Sequence, residues 1–86
     1  MPQTVIQKAK KKAAALGVQV KESTRKNKKL DVYSRSGEYL VSIGDLRYSD
    51  FLQHGDEKRR QAYRKRHQKN RLIKGSAGYF ASEILW

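Results

Sequence analysis

The stretch Leu30 to Gly44, LDVYSRSGEYLVSIG, constrains the fold more than any other part of the chain. A two-residue turn at Ser36-Gly37 sets Leu30 opposite Ile43, Val32 opposite Val41 and Ser34 opposite Tyr39 on one side of an antiparallel ribbon. That side is almost purely apolar. The reverse side pairs Arg35 with Glu38, Tyr33 with Leu40 and Asp31 with Ser42, as in a sheet wetted on one face. A slip of one residue scatters the apolar set over both faces, so this register is strongly specified. Upstream, Val18, Val20 and Glu22 alternate in the same way and predict a third strand, completing a meander.

The hairpin needs cover for its apolar face, and helical periodicity supplies it on both sides. Thr4 is placed to cap a first helix ending near Leu16, with Gly17 as its stop; its stripe of Val5, Ile6, Ala9, Ala13 and Leu16 is narrow and alanine-rich and predicts a loosely attached element. Ser23 to Lys29 contains no apolar residue and reads as a mobile loop. After Gly44-Asp45 ends the hairpin, Leu46, Tyr48, Phe51 and Leu52 read as a short connector packed over the sheet. Asp56 is placed to cap a helix over 57–71, and Ser76 a last one in which Ala77, Phe80, Ala81, Ile84 and Leu85 cluster before Trp86. The expected architecture is a small α+β domain over 30–86, with hairpin 30–43, basic helix 57–71 and C-terminal helix 77–86. A basic helix, strand and mobile loop over 1–29 precede it.

With 86 residues there is room for a thin core, since folding at this size buries only about 60 to 65% of the unfolded surface. A deep catalytic cleft is therefore not expected, and the chain reads as non-enzymatic with no cofactor. The absence of cysteine excludes disulfides, zinc-thiolate sites and thiol catalysis. No apolar run approaches the roughly 20 residues of a membrane span or the 7 of a signal-peptide core, so neither membrane insertion nor secretion is expected.

Charge is what the sequence has in excess. The net charge is +12, distributed as +8 over 1–29, −3 over 30–56, +8 over 57–74 and −1 over 75–86. Two basic segments flanking an acidic middle predict a polyanionic partner. In KRRQAYRKRHQKNR, Arg59, Arg60, Arg64, Lys65, Arg66, Lys69 and Arg71 recur at one and two helical turns, within reach of successive phosphates of one backbone, and Tyr63 and His67 are placed to stack on bases. A helix selected only for stability would relieve such repulsion with glutamates. Arg60, Arg64 and Arg71 share one face, predicted to lie in solvent. Lys8, Lys11 and Lys12, and Arg25, Lys26, Lys28 and Lys29, extend the expected surface. His54 and His67 with Asp50 and Asp56 are the only metal-like grouping, a weak basis for a small nuclease, because capping and turn roles already account for the aspartates. No phosphate-cradling glycine loop is present.

Gly44-Asp45, Tyr48, His54, Asp56-Glu57-Lys58-Arg59, Tyr63, Arg66-His67, Ala77-Gly78-Tyr79 and Ile84-Leu85-Trp86 follow one another in an ordered pattern. In this the C-terminal half resembles a family of short, basic, functionally uncharacterised proteins of large DNA viruses of algae and protists and of some tailed phages. The resemblance implies a viral origin and a location in the virion. The expected polyanion is nucleic acid, DNA ahead of RNA, met in the virion or the infected-cell interior. The rival expectation is a minor capsid or cement protein whose cations grip acidic capsid subunits.

Overall fold

A computed structural model describes residues 3–86. Eight elements follow in order: α1 (Gln3–Ala15), β1 (Val18–Glu22), β2 (Lys28–Ser34), β3 (Tyr39–Asp45), α2 (Phe51–His54), α3 (Glu57–Arg66), α4 (Gln68–Arg71) and α5 (Ala77–Ile84). The strands form one antiparallel sheet in the order β1-β2-β3, and the fold is α+β.

Leu30 faces Ile43, Asp31 faces Ser42 and Val32 faces Val41, so alternation sets the register as expected. Val20 faces Val32 and extends the apolar side into β1. The turn differs. Ser34 donates its N–H to Glu38 O at 2.8 Å and accepts from Gly37 N–H at 2.9 Å, which leaves Arg35, Ser36 and Gly37 as a three-residue connection. Gly37 has φ 96°, the left-handed conformation that such a turn requires of its last residue. The odd residue is absorbed by an irregularity beyond Val32, after which Tyr33 faces Tyr39 and Leu40 is left exposed.

Residues Ser23 to Lys29 form a hydrogen-bonded turn that runs into β2 rather than an irregular loop. Ser23 N–H reaches Lys29 O at 3.0 Å, Arg25 N–H reaches Ser23 Oγ at 3.0 Å and Lys28 N–H reaches Arg25 O at 3.2 Å, while Asn27 supplies a left-handed residue at φ 63°. Serine and asparagine replace apolar contacts with local hydrogen bonds, closing a hairpin whose second strand already includes Lys28 and Lys29.

The core lies between the apolar side of the sheet and two helices. Leu30 and Val32 are 0% exposed and Ile43 2%; α1 contributes Ala9 and Ala13, and α5 contributes Phe80, Ala81 and Ile84, followed by Leu85. Helix α1 lies over β1, α5 over β3, and the two helices touch. The first helix is thus part of the core rather than a loose attachment, and Ala9, Ala13 and Val20 share that core with residues of 30–86. The alanines that make its stripe look weak are what let its backbone approach the sheet closely. Thr4 already lies inside α1 and does not cap it.

Leu46 and Tyr48 are 59% and 69% exposed, so the connector does not cover the sheet; only Leu52 joins the core from that side. The predicted helix over 57–71 is interrupted at His67, whose φ of −106° leaves the helical range, and α4 follows as a separate turn. Among the described residues no helix is long and apolar enough to cross a membrane.

Candidate nucleic-acid interface

Helix α3 begins where expected. Asp56 is extended, and its Oδ1 accepts from Lys58 N–H at 3.0 Å and Arg59 N–H at 3.3 Å. Beyond the cap the helix follows no ordinary packing rule, because none of its residues is buried. It is held by ring contacts instead. Tyr63 stacks on Trp86 with centroids 4.2 Å apart and planes 4° from parallel, His67 lies 4.4 Å from the Tyr63 ring, and His54 lies 5.3 Å from Trp86. The guanidinium of Arg60 sits over Phe51 at 4.7 Å. Burial raises the pKa of Tyr63, so its hydroxyl stays neutral at physiological pH.

These contacts divide the cations. Lys58, Arg59, Lys65, Arg66 and Lys69 are exposed, whereas Arg60, Arg64 and Arg71 are half-buried. The face predicted to be wettest is therefore the inner one. Its arginines turn long apolar stems toward protein, and the Nε atoms of all three are enclosed without a hydrogen-bond partner. Lys12 of α1 meets the same face: burial lowers its pKa first, Arg60 and Arg64 lower it further, and Glu83 and Asp50 oppose them. The structure thus brings Lys12, Arg60 and Arg64 into one electrostatic cluster, with Lys8 and Lys11 exposed on the same helix as Lys12.

The remaining candidates behave differently. Lys26 and Lys28 are exposed. Arg25 donates to Asp31 Oδ2 at 2.7 Å and covers the Tyr39 ring at 4.0 Å. Burial opposes the charge of Asp31, but hydrogen bonds from Ser42 and Ser23 and the neighbouring Arg25 outweigh it and hold the carboxyl below its usual range. Lys29 is a correction. It is 3% exposed, and its Nζ lies 2.6 Å from Asp50 Oδ2 and 2.8 Å from Gln53 Oε1, an interior ion pair with no surface role. Tyr63 and His67 pack their rings on one another, and Tyr63 stacks on Trp86, within the protein.

A cleft of about 700 Å³ opens between α3 and the segment from Gly44 to Asp50. Arg59 and Arg66 stand on its helical side, Tyr63 and Trp86 form its wall, Tyr48 lies on the opposite lip, and the Lys29–Asp50 pair closes its floor. Gly44 is held at φ +79°, and a Cβ there would lie 2.8 Å from Leu85 Cδ1 and 2.9 Å from Lys29 Cβ, so only glycine lets this floor close. At the rim Asp45 is occupied by Arg47, whose side-chain hydrogen bonds hold the Asp45 carboxyl at about 2. Sequence reasoning missed Lys58, Tyr48 and Trp86 as members of this surface; for Tyr48 and Trp86 the available signal was an aromatic residue at the edge of an element, which reads equally as core.

The metal-like grouping does not assemble. Asp50 is bound to Lys29, His54 Nδ1 accepts from Asp56 N–H at 2.9 Å, and among the described residues no three of His, Asp and Glu are placed to hold an ion.

No curated protein and no solved structure matches the chain. A family does match, over residues 18–67, the span from the start of β1 to the end of α3 that contains the sheet, the Lys29–Asp50 floor and the exposed Lys58, Arg59, Lys65 and Arg66. The chain belongs to the family of unknown function DUF5754.

Proposed function

We propose that this protein binds nucleic acid, DNA ahead of RNA, through phosphate contacts with little sequence preference and without catalysing a reaction. One observation carries the reading: Lys58, Arg59, Lys65 and Arg66 are exposed on α3 and Lys69 on the adjoining turn α4, and among the described residues none has an acidic partner. The nearby acids are already engaged, Asp56 by the helix start and Glu57 by Arg60 at 3.5 Å and Gln61 at 2.8 Å. An unneutralised row of this kind gains free energy by displacing the counterions condensed on a polyanion. Packaging with a viral genome is the setting that the sequence resemblance implies, and this proposal adopts it.

The test is a mobility-shift series with two unrelated duplexes, repeated with single strands and RNA, at about 50 and about 200 mM salt. For five phosphate contacts the affinity should fall by roughly 500-fold between the two conditions, and alike for both duplexes. Salt-insensitive binding, or binding of one duplex alone, contradicts the proposal. Failure to bind any nucleic acid, together with capture of acidic capsid subunits, favours the capsid-anchor reading.

A further inference from the structure

The cleft between α3 and the Gly44–Asp50 segment points to a ligand that a smooth phosphate-binding surface does not need. We infer that it receives one unpaired nucleobase of a single strand, with the adjoining phosphates held by Arg59 and Arg66. This inference rests on the nucleic-acid reading above and deepens it.

Three features of the cleft select that ligand. Its volume of about 700 Å³ falls within the range of small-ligand sites, about 300 to 1,000 Å³, whereas a duplex cannot enter without unpairing. Its flanks are aromatic: Trp86 and Tyr63 already stack on one another at 4.2 Å, so their edges form a wall, while Tyr48 is 69% exposed and carries only the Arg47 guanidinium, 5.9 Å from its centroid. A planar base entering beside Tyr48 finds a ring face to stack on, an interaction available to every base and therefore sequence-tolerant. Finally, Arg59 and Arg66 lie two turns apart on the cleft side of α3 with no acidic partner among the described residues, in position to meet successive phosphates of a strand that crosses the mouth. An anionic ligand without a ring would leave Tyr48 unused, and an apolar one would leave both guanidinium groups unpaired.

Trp86 is the sole tryptophan of the chain and stands in the cleft wall, so its fluorescence reports occupancy. The full-length protein is titrated with an oligothymidylate of about 12 nucleotides and with a duplex of about the same length. Oligothymidylate should quench Trp86 and the duplex should not. Tyr48→Ala removes an exposed ring outside the core, so the fold is retained; it should weaken oligothymidylate binding about tenfold and leave the duplex affinity unchanged. Binding of both probes with Trp86 unaltered, equal quenching by both, or equal effects of Tyr48→Ala on both overturns the base-binding inference and leaves the phosphate reading intact. Absence of binding to either probe overturns the phosphate reading itself, and the inference falls with it.

Discussion

The sheet with α1 and α5 buries a contiguous set of apolar side chains, whereas α3, of similar weight in the sequence, buries none. The first region is held by area: each fully buried Leu or Ile contributes about 1.5 to 3 kcal/mol, and Leu30, Ile43, Ile84 and Leu85 lie together. The second is held by the Tyr63–Trp86 stack and the Arg60–Phe51 contact, each worth on the order of 1 kcal/mol. A helix attached so lightly keeps its outer cations free of any structural duty. Stability and the candidate interface thus occupy different residues, and substitutions should separate them.

The largest effect is expected at the joint between the regions. Lys29→Met removes the partner of the 2%-exposed Asp50 and should cost about 3 to 5 kcal/mol in urea unfolding, while adding Asp50→Leu should recover much of the loss. Gly44→Ala should cost on the order of 2 kcal/mol, because a Cβ meets Leu85 and Lys29 and the backbone is left-handed. Should either substitution prove neutral, the floor of the cleft is not part of the rigid region.

Tyr63→Ala probes the light attachment. It should lower global stability by about 1 kcal/mol yet raise hydrogen exchange throughout α3 and shift Trp86 emission, leaving exchange in β2 unchanged. Loss of protection in β2 would mean that α3 and the core unfold as one unit. A smaller effect is expected in acid. The carboxyl of Asp31 is depressed in the folded state, so its stabilisation is complete above the ordinary carboxylate value of 3.8 and disappears as pH falls through the lower folded value. Asp31→Asn should flatten the acid limb of the stability profile; an unaltered limb would assign acid sensitivity elsewhere.

The elements that follow a local rule were legible in the sequence. Leu30, Val32, Val41 and Ile43 alternate with a period of two, and Asp56 and Ser76 sit one residue before helical segments, so sheet register and both caps follow from neighbouring residues. What stayed hidden depends on distant partners. Lys29 looks like one more surface lysine until Asp50, 21 residues away, is placed on it, and Tyr63 looks like a free ring until Trp86 arrives from the chain end. The inward face of Arg60 and Arg64 was hidden for the same reason: periodicity groups residues on a face, but only the docked partner decides which face is inner.

The separation of interface from core is tested most directly by the salt dependence of duplex binding for the protein and for Lys58→Gln, Lys65→Gln, Lys69→Gln combined. Three exposed charges should change stability by less than about 0.5 kcal/mol each, so the thermal midpoint is expected to be preserved. The slope of log K against log salt should fall in magnitude from about 4.5 to about 2. An unchanged slope at an unchanged midpoint would show that the outer cations of α3 and α4 do not meet phosphate and would contradict the account.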